Sequence, residues 1–226
     1  MDLSKYKDLL DQGTNEGLRD VKPELSRYQS FKYCIDYLSS IENPSILELG
    51  TTRSFVDGKY EGCNSANTKY WDKDNFSKWD FGGGCFTLLF GQLGYDFTTL
   101  DLISSHIDRS KFMTDSLGIK CTHVVSDSCE FLRNTNKKFD LIYVDTCDMM
   151  PIIPTENVQL EECKIIVERE LLKPNGLLLI DDVLNLTPRE HGYLDNKYGK
   201  STKSLPFLLQ NEFKVVFEGY QYILKK

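Results

Sequence analysis

Apolar residues in this chain arrive as short unbroken runs separated by stretches with helical spacing. SILELG (45–50), FTTLDL (97–102), CTHVVSD (121–127), FDLIYVD (139–145) and, after the turn Lys173-Pro-Asn-Gly within the run LLKPNGLLLIDDV (171–183), LLLIDDV are bounded by turn residues, and each predicts a buried strand. ELSRYQSFKYCIDYLSSI (24–41) instead places Tyr28, Phe31, Ile35, Leu38 and Ile41 on one helical face. Further helices are predicted from the glycine triplet 82–84 to Gly94, over 105–118 and over 128–134. Two more follow over 158–172, with a stripe through Leu160, Cys163, Ile166, Val167 and Leu171, and over 204–211. FKVVFEG and QYILKK close the chain as a hairpin around Tyr220. Strands alternating with helices predict an α/β domain with a mostly parallel sheet of right-handed βαβ units and a terminal antiparallel strand pair. One domain over 1–226 is expected, with 1–44 as a helical cap.

One segment breaks the alternation. Residues 52–81 show no period but carry both tryptophans, Trp71 and Trp79, with Phe55, Tyr60, Tyr70, Phe76 and Phe81. A loop of this length within a domain is often functional. Two readings stand: an excursion packed by its own rings, or an aromatic lid over a site.

Net charge narrows the partners. Lys+Arg 27 against Asp+Glu 34 gives −7, which argues against nucleic acid or an anionic membrane. The seven cysteines are scattered without a CxxC pair, the N-terminus is charged, and no apolar run approaches a membrane span. A cytoplasmic protein with free thiols is expected.

Chemistry concentrates where the strands end. FDLIYVD finishes in Asp145, and LLLIDD finishes in Asp181 and Asp182. Neighbouring strands would bring these three carboxylates together, which is costly unless a cation, protons or hydrogen-bonded partners neutralise them. Asp101 and Asp127 also follow strands, where an acid can hold a ligand's hydroxyls or cap the next helix. His123 lies within a strand and reads as structural, His106 opens a helix beside Asp101, and His191 stands in an irregular loop. Gly199-Lys200-Ser201-Thr202 imitates the tail of a phosphate-binding loop, but Leu194 stands where glycine is required and no strand precedes it. Lys197, Lys200 and Lys203 therefore read as a solvated loop, with a phosphate contact as the alternative.

Taken in order, ILELG (46–50), GGGCFT (82–87), TLDL (99–102), VSDS (125–128), FDLIYVD (139–145) and LLKPNGLLLIDD (171–182) resemble the class I methyltransferases that use S-adenosylmethionine (SAM). The resemblance spans roughly residues 45–226 and implies a Rossmann-like seven-stranded, mostly parallel sheet with helices on both faces and a C-terminal antiparallel hairpin. It implies SAM contacts at Glu48, Gly50, Thr51, Gly83, Gly84, Asp101, Asp127, Ser128 and Asp145, with Asp101 on the ribose and Asp127-Ser128 at the adenine. The chain departs from the family in one respect: about 30 residues separate Gly50 from the glycine triplet, so the loop closes only if the insertion leaves and returns at neighbouring points. A nicotinamide dehydrogenase is the rival, but its GxGxxG fingerprint is missing.

Asp145, Asp181 and Asp182 match the divalent-metal ligands of metal-dependent O-methyltransferases, which implies Mg²⁺ or a similar ion. The alternative is that these acids merely cap loops, as in metal-free relatives. Catechol-type members carry a lysine where this chain has Asp148, so Asp148 and His191 are the candidate bases. The resemblance is greatest to sugar O-methyltransferases of the macrolide-sugar type. It implies methylation of a hydroxyl on a small polar acceptor such as a sugar, without nucleic acid or membrane, and it allows a homo-oligomer. Two alternatives stay open: a metal-independent small-molecule methyltransferase, and a non-catalytic SAM-binding or scaffold module.

Overall fold

A computed structural model of the chain describes residues 1–12, 26–56, 64, 65, 67–83, 85–148, 152–183 and 199–226. The strands are β1 (Ser45–Leu49), β2 (Phe55–Val56), β3 (Asn64–Ser65), β4 (Asp96–Asp101), β5 (Thr122–Val125), β6 (Phe139–Val144), β7 (Leu172–Ile180), β8 (Lys214–Glu218) and β9 (Tyr222–Lys225). The helices are α1 (Lys7–Gln12), α2 (Tyr28–Leu38), α3 (Phe86–Gly91), α4 (Ser104–Ser116), α5 (Ser128–Asn134), α6 (Ile152–Glu168) and α7 (Ser204–Gln210).

Seven strands form one sheet in the order β5-β4-β1-β6-β7-β9-β8. The first five run parallel, and β9 is antiparallel to both β7 and β8. The chain builds outward from β1 through β4 to β5, then returns to lay β6 on the other side of β1. The topological switch point, where open α/β sheets bind ligands, therefore lies between β1 and β6.

Period-two alternation sorts the strand side chains into two cores. Ile46, Leu141, Tyr143, Leu177 and Leu179 pack with Phe31, Cys34 and Leu38 of α2 and with α3. Leu47, Leu49, Ile142, Val144, Leu178 and Ile180 pack on the opposite face with α5, α6 and α7. Each central strand is thus covered on both sides, as its unbroken apolar run predicts.

Several expected boundaries move. The helix expected over 158–172 runs from Ile152 to Glu168, and Leu172 already belongs to β7. Pro154 falls in its first turn, where a missing N–H breaks no helical bond. At the other end Glu170 turns left-handed (φ 51°) and the Leu171 N–H bonds back to the Ile166 carbonyl. The expected 24–41 helix is ordered as Tyr28–Leu38, its residues 24 and 25 lying outside the described set.

The described part of the 52–81 segment turns its rings inward. Trp79, Phe55 and Phe81 are buried, and Tyr6 from the chain's first turn packs against Phe76, Trp79 and Phe81. Phe55 and Trp79 form an antiparallel bridge, and Ser54 Oγ donates to Asp80. The insertion therefore leaves and returns at adjacent points.

Candidate functional site

Backbone bonds carry the sheet one residue past the strand ends and so align the functional side chains. Asp145 N donates to Leu49 O at 2.9 Å, Asp181 N to Val144 O at 3.2 Å, and Gly50 N to Leu100 O at 3.0 Å. Gly50 has φ +89°, and a Cβ there would overlap the Asp145 carbonyl oxygen. Only glycine lets these two strand ends approach so closely. Asp182 follows in a left-handed conformation (φ 53°), which Asp tolerates better than most residues.

The structure brings Asp145, Asp181 and Asp182 together, one carboxylate oxygen from each lying within 4.8 Å of the others. Two cations of the chain itself hold them. Arg27, buried just before α2, donates from Nη2 to Asp181 Oδ2 at 2.7 Å and from Nε to both Asp181 oxygens at 3.1 Å. Lys200, with no solvent exposure, places Nζ 2.8 Å from Asp145 Oδ1 and 2.8 Å from Asp182 Oδ2. Neutral donors complete the cluster. Tyr143 Oη donates to Asp181 Oδ2 at 2.9 Å, Gln221 Nε2 to Asp181 Oδ1 at 2.8 Å, and Tyr220 Oη to Asp182.

The charges sort accordingly. Burial alone would raise the Asp181 carboxyl, but the Arg27 guanidinium outweighs it and holds Asp181 below the usual carboxylate range. Asp145 moves the other way, to about 7, through burial and the adjoining Asp181 charge. Burial would depress the Lys200 ammonium, yet Asp145 and Asp182 keep it raised. Three acids against two cations leave one negative charge, and a proton on Asp145 removes it.

A divalent ion fits this donor set poorly. Mg²⁺ requires free oxygen ligands about 2.0–2.1 Å away in octahedral array. Both Asp181 oxygens are already taken by Arg27, Tyr143 and Gln221, and an ammonium lies between Asp145 and Asp182.

On the other side of the switch point, Asp101 ends β4 with a half-buried carboxylate. Its Oδ1 accepts from Ile103 N at 2.8 Å and lies 3.1 Å from His106 Nδ1. Leu102, Ile103 and Val125 expose apolar surface alongside. Asp127 is exposed and caps α5, its Oδ1 accepting from Glu130 N at 2.9 Å, while Ser128 beside it is buried. Glu48 sits deeper, 2% exposed, with Oε2 accepting from Thr87 Oγ1 at 2.6 Å. Thr51 Oγ1 donates to Ser110 Oγ at 2.8 Å, so its hydroxyl serves this buried network. Burial pushes the Glu48 carboxyl up to about 8. Gly83 N donates to Asp80 Oδ1 at 3.2 Å, and Gly82 O accepts from Arg27 Nη1 at 2.9 Å.

The fold recurs in solved structures. The Podospora anserina methyltransferase PaMTH1, solved SAH-bound, superposes with a TM-score of 0.56 at 15% identity, over 98% of this chain and 86% of its own. The chain has the class I methyltransferase fold. A candidate O-methyltransferase from Klebsiella pneumoniae aligns over 100% of this chain and 89% of its own, at 14% identity and a TM-score of 0.52. The Thermus thermophilus 16S rRNA N2 G1207 methyltransferase RsmC, in complex with AdoMet and guanosine, aligns over 92% of this chain and 44% of its own, at 14% identity and a TM-score of 0.51. No protein-family model and no curated protein matches the sequence.

Within this methyltransferase fold, the strand-end acids all stand at the carboxyl edge of the sheet, but their surroundings differ from the simplest expectation. Asp148 is exposed and paired with Arg53. His191 and Gly84 lie outside the described residues, as does Lys197. The expected solvated lysine loop is corrected at Lys200: the ammonium is fully buried because Asp145, Asp182 and the Cys147 carbonyl offer it three oxygen acceptors, the last at 3.1 Å. Lys203 is the exposed one, near Glu156 and Asn157. His123 is half-buried, its ring within 3.4 Å of Ser110 and Thr114 hydroxyls, and burial lowers its pKa. Sequence reasoning missed Arg27, Lys200, Tyr143, Tyr220 and Gln221. One signal was present for Tyr143: it stands two residues before Asp145, on the same face of the strand. Among the described residues, no helix is long and apolar enough to cross a membrane.

Proposed function

We propose that this protein is a SAM-dependent O-methyltransferase acting on a hydroxyl of a small polar acceptor, of which a sugar is the foremost candidate. One observation carries the reading. Asp101 ends the strand beside β1 with both bonds to its carboxylate among the described residues on Oδ1, leaving Oδ2 for a ligand's hydroxyls next to the exposed apolar Leu102 and Ile103. A carboxylate beside exposed apolar side chains, one strand from the switch point in the methyltransferase fold, suits a nucleoside. Bound SAM would supply an electrophilic methyl group. The chain's part is to hold and orient: Asp101 for the ribose, Asp127 and Ser128 for the adenine, and Gly50 and the glycine turn at Gly83 for close backbone approach. Asp148, exposed beside Arg53, is within this reading the described candidate for taking the acceptor's proton. Net charge −7 favours a small acceptor over RNA. The acid trio is already held by Arg27 and Lys200, so these residues leave no role for a metal in this reading.

Calorimetry with SAM tests the reading. Micromolar binding is expected, weakened about 10–100-fold in Asp101→Ala through loss of a charge-assisted bond. Labelled methyl transfer to a panel of hydroxylated small molecules then identifies the acceptor. No heat and no thermal shift at millimolar SAM would leave the scaffold alternative standing instead.

A further inference from the structure

Three carboxylates within 4.8 Å of one another make the geometry of a divalent-cation site, yet a lysine lies inside this one. Lysine is almost never fully buried unless paired. Here all three ammonium donors have acceptors, namely Asp145 Oδ1 and Asp182 Oδ2 at 2.8 Å and Cys147 O at 3.1 Å.

The backbone delivers it deliberately. The 3₁₀ turn Gly199–Ser201 docks on the end of β7, with Lys200 N donating to Asp182 O at 3.2 Å. Gly199 adopts φ +53°, and a Cβ there would overlap that same carbonyl oxygen. The segment thus grips Asp182 by its main chain and its carboxylate together. Arg27 plays the matching part at Asp181 from the opposite end of the chain.

We propose that Lys200 is the resident cation between Asp145 and Asp182 in this acid trio. Its ammonium holds the space between Asp145 and Asp182 that a divalent ion would require, so the protein carries no divalent-ion site there, and removing the ammonium creates one. A dication beside a buried ammonium would meet a repulsion that water screens poorly. Lys200 is a positioning residue, acting through Asp145 and Asp182. The inference stands apart from methyl transfer, since it concerns only what neutralises the acids.

Titration of the full chain with Mn²⁺, followed by electron paramagnetic resonance of the free ion, tests it. The wild type is expected to show no saturable binding through the millimolar range. Lys200→Ala should bind one Mn²⁺ about tenfold or more tightly than the wild type, and the gain should vanish when Asp182→Asn is added. Lys200→Arg, which keeps a cation in place, should bind none. Saturable binding by the wild type that Asp145→Asn or Asp182→Asn abolishes would overturn the proposal, as would a folded Lys200→Ala that gains no affinity. Circular dichroism reports folding; if Lys200→Ala does not fold, the wild-type titration decides alone. Failure to bind SAM would count against the methyltransferase reading and leave this titration untouched.

Discussion

Glu48 is a carboxylate kept from water by its neighbours on three elements. Burial raises its pKa to about 8 and Asp145 adds to the rise, while the bond from the Thr87 hydroxyl lowers it. Because the folded value lies above the ordinary 4.5, the fold prefers the protonated acid. The associated stability is fully present below pH 4.5 and is lost as pH rises through about 8. Asp145, raised to about 7, pulls in the same direction, so the trend alone does not isolate Glu48. Urea midpoints at about pH 5 and about pH 8.5 do, when compared between wild type and Glu48→Gln. The wild type should lose more stability across that interval than the variant. Parallel losses would show that Glu48 ionises freely in the fold. At this scale the acids were legible, because an apolar run ending in Asp announces a strand end. Their counter-charges were not, since Arg27 lies 154 residues from Asp181 and nothing local marks it as buried.

Elements were legible where periodicity decides them. The five central runs all became parallel strands, and the terminal runs became the hairpin β8–β9. Periodicity is silent on short turns that gain their shape from a partner, and Gly199–Ser201 is one. Leu194 already rules out a phosphate-loop tail here; the turn's actual partner is the Asp182 main chain. Gly199→Ala probes that docking, with Gly118→Ala as its control. Both glycines have positive φ, but a Cβ on Gly118 meets nothing within 4 Å, whereas one on Gly199 overlaps the Asp182 carbonyl oxygen. Gly118→Ala should cost about 1–2 kcal/mol for the left-handed backbone alone. Gly199→Ala should cost measurably more in the same urea titration, by the steric overlap. Equal losses would mean that the turn shifts freely off Asp182.

Across the whole molecule, the acid trio is where distant parts of the chain meet. Arg27 comes from the entry to α2, Asp145 from β6, Asp181 and Asp182 from β7, Lys200 from the 3₁₀ turn, and Tyr220 and Gln221 from the hairpin loop. Ser30 Oγ also donates to Gln221, so α2 and the hairpin are joined directly. A buried ion pair is weak evidence for stability as a pair, but removing one partner leaves an uncompensated charge that costs about 3–5 kcal/mol. Arg27→Met should therefore destabilise the protein by that order, and adding Asp181→Leu should return part of the loss by removing the stranded carboxylate. Recovery should be incomplete, because Gln221 Nε2 would then lose its carboxylate acceptor, whereas Tyr143 Oη keeps Asp145 Oδ2 at 3.1 Å. The measurement is a double-mutant cycle by urea denaturation. A single-variant cost below about 1 kcal/mol would place the pair with solvent-screened surface bridges and would separate α2 from the cohesion of the site.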